Sequence, residues 1–543
     1  MFSPSGRAKS VHEQAVFKRG AAGVITDTIT YEMPNVRESI DIPDAHAYQA
    51  IWPSAEELPK TTFGFSLSKR QGNQLRTLLK SGKPVTLKAN VDAQLFPGHL
   101  DIVTATIQGS QKPDEEIFLI AHLCHPKPSA NDNASGSGLL LEIARTLKAL
   151  IRSGKIEPPA RTIRFIWVPE TFGSIVFLHA HEDLPARLIG GINLDMVGQN
   201  QELCKSTLNL DRTPDSLPSY LNDFVYGLME KMVKEFDMPA GFGSSSTFRF
   251  ATGAFSGGSD HAEFTDSTIG VPCVMLLQWP DLFYHTSMDT VDKVSEDTLK
   301  RVGWITTVAA LTLANATIET AFQLANQTAT RAAARIEDAR REAVETLFRK
   351  KDDPKLKSKP EELAKELAKT SHCCRNKLEH IIWREQKAIK SLTRLAQTPE
   401  LDTFLAHYCE DIINLGKKET ARLEETLNFT AKMSALTIPV QLEETSADAE
   451  AKKLVPKRLF KGTLAFEVVK KTLSEKEYEW YLEINEKDPE FEKKLSEILN
   501  FIDGKRTVWE IVNAVSAEYS ETNIEHVLKV LRDLEKAKAV AFE

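Results

Sequence analysis

Five short pieces of the chain carry imidazole and carboxylate groups in an order that suits a divalent cation. FLIAHLCHPKPSANDNASGSG, from Phe118 to Gly138, holds His122, His125 and Asp132; VPETFGS holds Glu170; GGINLDMVG holds Asp195; GGSDHAEF holds Asp260 and His261; LFYHTSMDTVD holds His285 and Asp289. Each piece has an ordinary explanation by itself: an Asp that closes a strand caps the next helix, a lone His is a core group, and Pro-Glu-Thr is a turn. The set is different, because His122, His285, Asp132 and Asp195 together supply the nitrogen and oxygen donors that zinc takes at ~2.0–2.2 Å. Zinc lowers the pKa of its water to about 7, and a carboxylate that is not a ligand can then take and return the proton. Glu170 is the candidate for that role.

Such residues need a scaffold that brings distant segments together. From Glu116 to Ala314 apolar runs of strand type, at Ile117 to Ala121, Thr162 to Val168, Gly191 to Met196 and Val271 to Leu277, alternate with helical periodicity at Ser135 to Ser153, Ser219 to Phe236 and Ser295 to Ala314. Alternation of this kind predicts an α/β domain, a mostly parallel mixed sheet with helices on both faces. The candidate residues then fall at strand ends, where open α/β sheets bind ligands. Asn131 and Asn133 flank Asp132 just before a helix N-terminus.

We divide the chain into residues 1–110, a partial β-rich lid and the start of the catalytic domain; 111–315, the catalytic domain; 316–442, a long helical region; and 455–543, a small winged-helix-like domain. In the first part Ala8 to Gly20 is helical and leads into a strand-like run, Ala21 to Asp27. A helix follows at Lys69 to Lys80, then strand-like runs at Val85 to Val91 and Ile102 to Ile107. Beyond Asn315, helices at Thr317 to Phe348 and Glu361 to Met433 are Ala-, Leu-, Glu- and Lys-rich. They read as a bundle or an arm that forms a homo-oligomer, or as helices packed back on the catalytic domain. Glu443 to Lys453 reads as a charged linker.

The 543 residues carry a formal net charge of −8, which argues against a general nucleic-acid or anionic-membrane binder. The last helical stretch, with Glu525, Lys529, Arg532, Asp533, Glu535 and Lys536, balances acids against bases, so a protein contact or dimer interface is the expected use rather than DNA reading. The six cysteines form no C-x-x-C pair, and there is neither a leader-type apolar stretch nor a run of about eighteen uncharged apolar residues. A cytoplasmic location without membrane contact is expected.

The ordered pieces H-x(9)-D-N-x-S-G, F-x-x-x-P-E-x-x-G-S, N-L-D-M-V-G, S-D-H-x-x-F and Y-H-T-x-x-D-T resemble the zinc aminopeptidase family of bacterial leucyl aminopeptidases and aminopeptidase Y, with glutaminyl cyclases as relatives. The helix followed by GAAGVI resembles the second half of the protease-associated lid, with no strand ahead of the helix. D-G-K-R-T-V-x-E-I at Asp503 resembles small winged-helix modules. The family resemblance implies one or two Zn2+ ions bridged by Asp132, one also held by His122 and Asp195, the other by His285. It implies Glu170 as general base and a peptide substrate, with Asp260 and His261 lining the site and Asp289 behind the ligands.

The chain departs from that pattern twice. Thr171 stands where the family has a second, metal-binding Glu, and His122-Leu123-Cys124 replaces H-x-D; both changes resemble an aminopeptidase-like branch with H-x-C-H-P and P-E-T-x-G patterns. His125 is then a replacement ligand, a donor behind a single zinc, or an inert loop residue, while Cys124 could be a thiolate ligand; standing where the family has an acid, it otherwise removes the usual clamp on the His ring. Arg212 could anchor a substrate carboxylate or form a surface salt bridge. Tyr284, with Trp279 and Phe283, could wall a side-chain pocket or only pack. The expected function is a metallo-aminopeptidase that uses zinc-bound hydroxide and a Glu base. A hydrolase of other amides and a non-catalytic peptide-binding scaffold are the alternatives.

Overall fold

The computed structural model describes residues 1–3, 6–94, 96–236, 247–439 and 442–542. Residue 95 of the expected lid region, residues 237–246 of the expected catalytic domain, 440–441 at the end of the expected helical region and 543 lie outside the described residues.

A seven-stranded mixed sheet runs Val103–Ile107, Arg161–Val168, Lys112–His122, Leu188–Leu194, Cys273–Trp279, Thr207–Asp211, Phe250–Gly253. The first pair and the pair Cys273–Trp279 with Thr207–Asp211 are antiparallel, and the other four are parallel. The mostly parallel α/β class expected from the alternation is therefore what the chain adopts. Lys112–His122 shows why its apolar run is continuous. Ile117, Leu119 and Ala121 face one core and Phe118 and Ile120 the other, all fully buried, because both faces of the strand are covered.

Helices Ala134–Arg152, Tyr220–Phe236 and Glu296–Ala314 cover one face; Phe172–Ala180 and His261–Thr265 lie on the other. Ala134–Arg152 begins where Asn133 accepts the Gly136 N–H at 3.0 Å, a cap of the kind that stabilises a helix by ~1 kcal/mol. Gly136 has to be glycine, since a Cβ there would come within 2.2 Å of the Leu194 carbonyl. This close approach brings the turn holding Asp132 against the strand end that carries Asp195.

Three long helices follow, Ile318–Lys351, Pro360–Lys390 and Pro399–Met433. Their apolar faces belong to the same buried cluster as the sheet, so they are packed back on the α/β domain rather than projecting as an arm. Buried Arg161 ties the two parts by donating to the Leu313, Ala316 and Leu395 carbonyls. The stretch read as a charged linker contains a short helix, Ser446–Ala451, whose capping box pairs Thr445 with Asp448.

The C-terminal part has its own core and comprises helices Glu475–Lys487, Phe491–Asn500, Val508–Glu518 and Ile524–Lys536, with Pro456–Arg458 antiparallel to Val540–Phe542. At the other end Phe2–Ser3, Gly23–Thr26 and Phe63–Ser66 form a parallel three-stranded sheet. A strand does precede the first helix, correcting the expectation of none; at two residues it is too short to give a periodic signal. Helix Lys69–Lys80 starts at a Ser68–Gln71 capping box. Val85 to Val91 forms no strand despite its alternation. Its residues are almost all exposed, and an alternating pattern without an apolar face to cover it gains little from pairing.

Candidate metal centre

The end of strand Lys112–His122 delivers His122, and the loop before helix Ala134–Arg152 delivers His125 and Asp132. Asp195 follows strand Leu188–Leu194, and His285 lies beyond Cys273–Trp279. These five converge. Asp132 sits between two groups: its Oδ1 is 3.4 Å from His122 Nε2, and its Oδ2 is 3.1 Å from both His125 Nε2 and His285 Nε2. His122 Nε2 is also 3.3 Å from Asp195 Oδ1, and the two histidines of the second group are 3.2 Å apart. Within each of the triads His122–Asp132–Asp195 and His125–Asp132–His285, one ligand atom per residue lies within 4.8 Å of the others.

The donor set fits a cation. Ligands at about 2.1 Å in tetrahedral array stand ~3.4 Å from one another, the spacing seen here. His122 Nδ1 is 3.1 Å from the Cys124 carbonyl, which can only accept, so the proton belongs on Nδ1 and Nε2 presents a lone pair. His122 Nε2 and Asp195 Oδ1 are buried without a hydrogen-bond partner, an arrangement that is costly unless another group satisfies them. Asp289 holds Asp132 from behind, accepting the Asn131 N–H at 2.9 Å and the Asp132 N–H at 3.1 Å. Ser137 holds the His122 carbonyl at 2.7 Å.

Glu170 follows strand Arg161–Val168, with Oε1 4.0 Å from His122 Nε2. Burial pushes its pKa up to about 9; His122 opposes this, and Asp195, Asp132 and Asp260 reinforce it. Burial works against ionised Asp132, but the facing rings of His122, His285 and His125 hold it well below the usual carboxylate range. His122 is likewise disfavoured as a cation by burial, yet Asp195 and Asp132 raise it well above the ordinary imidazole value. Asp289 is pushed up to about 7, chiefly by burial.

Thr171 carries no carboxylate and adopts φ 59°, its N–H donating to Asp260 Oδ1 at 2.9 Å; Ser174 donates to the same oxygen at 2.7 Å. Asp260, fully buried and pushed up to about 6 by desolvation, thus fixes the turn after Glu170. Cys124 is the other brace: its sulfur accepts the Glu170 N–H at 3.0 Å. Cys124 belongs to neither triad.

Three other residues singled out from the sequence take different places. His261 is fully buried, with Nε2 3.0 Å from Asp211, which also accepts from Ser256; it braces the helix rather than facing the triads. Arg212 donates to the Gly253 carbonyl at 2.8 Å, and its charge acts on Asp215 and Glu518. Tyr284 stacks on His285 with centroids 3.7 Å apart, and Trp279 packs on Tyr284, so this aromatic pair supports the His285 ring.

The N-terminal part contributes residues that no spacing pattern announced. Tyr48 donates its N–H to the His285 carbonyl at 2.6 Å and sets its ring edge-on to His125 and His285, at 5.2 and 5.0 Å. Buried Arg37 fastens this part to the Asp281 and Leu282 carbonyls. A cavity of about 190 Å³ lies beside these rings, lined by His46, Tyr48, His125, Lys127 and His285.

Residues 102–310 match Peptidase family M28. A Clostridium acetobutylicum protein named as a polysaccharide biosynthesis protein with an aminopeptidase-like domain is 28% identical over 242 residues, 44% of this chain and 48% of that protein. Bacillus subtilis aminopeptidase YwaD is 29% identical over 194 residues, 34% of this chain and 37% of the other. A solved zinc aminopeptidase from Bacillus subtilis aligns at TM-score 0.39 and 20% identity, covering 57% of this chain and 67% of that one. The chain spans about half, or less, of the length of the two curated relatives. Among the described residues no helix is long and apolar enough to cross a membrane.

Proposed function

We propose that the M28-type domain at residues 102–310 makes this chain a metal-dependent aminopeptidase that hydrolyses the first amide bond of peptides. The observation that carries this reading is Asp132, whose two oxygens each face an imidazole group while Glu170 stands 4.0 Å from His122. His122, Asp132 and Asp195 would hold one zinc ion. His125, Asp132 and His285 would hold a second, with His125 supplying the donor that Thr171 cannot. Zinc bound here supplies Lewis acidity and an activated water at neutral pH.

The chain's own residues do the rest. Glu170 takes the proton of the attacking water and returns it to the leaving amine; its carboxylate, too basic by itself at about 9, becomes a base matched to neutral pH once cationic charge offsets the surrounding acids. The Cys124 sulfur and the Asp260 carboxylate hold the backbone on either side of Glu170, so the base cannot swing away. Tyr48 and Tyr284 shield the His125–His285 side from water.

Glu170→Gln tests this directly. Loss of about 10²–10⁴ in turnover on aminoacyl-fluorogenic substrates is expected, with zinc content by elemental analysis unchanged. Retained activity would remove Glu170 as base. A second reading, a hydrolase of non-peptide amides, is favoured by the polysaccharide-biosynthesis name of the Clostridium relative. Zinc bound in stoichiometric amount with no turnover across the aminoacyl panel, but release of acetate from acetylated amino sugars, would select it. A peptide-binding scaffold would show neither zinc nor turnover.

A further inference from the structure

Besides its contacts at Asp215, the C-terminal part takes hold of the α/β domain along one segment, residues 255–268, and does so at both of its ends. At the start Tyr519 donates its hydroxyl to the Phe255 carbonyl at 2.7 Å. At the far end Arg458, whose side chain is 4% exposed, pairs with Asp266 at 2.6 Å. There the Thr268 hydroxyl also accepts the Gly462 N–H at 2.7 Å, and Asn500 accepts the Ser267 N–H at 3.3 Å. Thr463 adds a hydroxyl donated to Glu263.

Asp260 stands between these two ends. Its Oδ1 accepts the Thr171 N–H and the Ser174 hydroxyl, and so sets the turn that follows Glu170. The segment does not fix that carboxylate by its own secondary structure. Gly257 and Gly258 precede it at φ 63° and 82°, in a region open to glycine and to few other residues. The helix after it, His261–Thr265, has five residues, well short of the ~12–15 that a helix needs to persist unaided. The α/β domain holds the middle of the segment, where Asn193 donates to Ser259 at 2.8 Å and Phe264 stacks on Phe118. The C-terminal part holds the ends. Asp260, Glu263 and Asp266 are all buried, and among the described residues only Arg458 forms an ion pair with any of them. Without it Asp266 is a buried charge with no partner, a state that favours release of the segment toward water.

We propose that Arg458 and Thr463 are positioning residues for Glu170: docking of the C-terminal part holds segment 255–268 and, through Asp260, the turn beyond the base. The consequence for turnover rests on Glu170 acting as the base, as above; the coupling itself does not.

Hydrogen exchange reads the coupling without any turnover. In the zinc-loaded full chain, followed by mass spectrometry of the peptide that contains Thr171, Arg458→Ala should speed exchange of the Thr171 N–H by about tenfold, with strand Leu188–Leu194 unchanged. Arg458→Lys should restore part of the protection. Thr463→Val, which removes one hydroxyl and nearly keeps the volume, should give the same response to a smaller extent and decides the matter if Arg458→Ala does not fold. On the aminoacyl panel Arg458→Ala should lose kcat by roughly tenfold to a hundredfold, with KM and bound zinc unchanged. Thr171 protection that neither Arg458→Ala nor Thr463→Val alters, a rise spread evenly over the chain in both, or a change in KM with kcat intact overturns the proposal. Absence of turnover in the unaltered chain, with the Thr171 response present, would sink the aminopeptidase reading and leave the coupling standing.

Discussion

Two buried gatherings of acids and histidines can be set side by side. At the centre, Asp132, Asp195 and Glu170 face His122, His125 and His285, and no Lys or Arg among the described residues pairs with them. At the junction between the α/β domain, the long helices and the C-terminal part, Asp215, Asp223 and Glu385 face His380, Arg384 and Arg335. There Glu385 takes hydrogen bonds from both arginines and is held down at about 2, burial opposing and the guanidinium charges winning. Asp215, Asp223 and Glu385 have cations on them, whereas the centre keeps the buried His122 Nε2 and Asp195 Oδ1 without partners. Clustered ionisable groups alone do not mark a site.

The comparison breaks first at the junction. Arg384→Ala leaves Asp215 and Glu385 buried with reduced compensation, and removing one member of such a network costs ~3–5 kcal/mol. Denaturant unfolding should register that loss, with bound zinc per chain unchanged. If the stability is unaltered, the network is not what joins the parts.

A smaller effect sharpens the other half. Zinc at a hundred times its Kd should stabilise the native chain by about 2.7 kcal/mol, read as a rise in Tm that a chelator reverses. Asp132→Ala removes the carboxylate common to both triads and should abolish the rise, while Arg384→Ala should keep it. A zinc-dependent rise that survives Asp132→Ala would move the metal elsewhere.

The same contrast explains what was legible in the sequence. His122, Asp132, Glu170, Asp195 and His285 stand at ends of strands with strong apolar runs, so periodicity placed them even without knowing which strands pair. The junction draws on positions 215, 223, 335, 380, 384, 385, 497 and 518, which no local spacing connects, and only the packing of the long helices brings them together. Tyr48 escaped for a related reason: the N-terminal segment carrying it has no regular element, so nothing periodic points its side chain at the centre. Strand Thr207–Asp211 and the edge strand Phe250–Gly253 are short, and the latter is mostly exposed or half-buried, which weakens their pattern. The departures Cys124 and Thr171 were visible as letters. What they do, one bracing Glu170 and the other turning the chain after it, needed the backbone.

Glu497 and Glu518 supply the smallest and most selective test, because they are the junction's acids without a cation on them. Glu497 accepts the Ser216 N–H at 3.1 Å and hydroxyl at 2.9 Å, and Glu518 accepts the Asp215 N–H at 3.3 Å. Burial raises both pKa values; Asp215 and Glu497 add to the effect at Glu518. A carboxyl whose folded pKa lies above its unfolded one stabilises the folded state fully below the unfolded value, ~4.3. That contribution is lost as pH rises through the folded value. Docking of the C-terminal part should therefore loosen as pH is raised, seen as faster proteolytic cleavage between the Met433 helix end and Pro456. Asp215, held below the ordinary range by Arg384 and His380 against the cost of burial, acts in the opposite direction and only in acid. Glu518→Gln should flatten this loosening without touching the zinc-dependent rise in Tm. If the cleavage rate stays constant with pH in the unaltered chain, the two acids are not docked as the pair described.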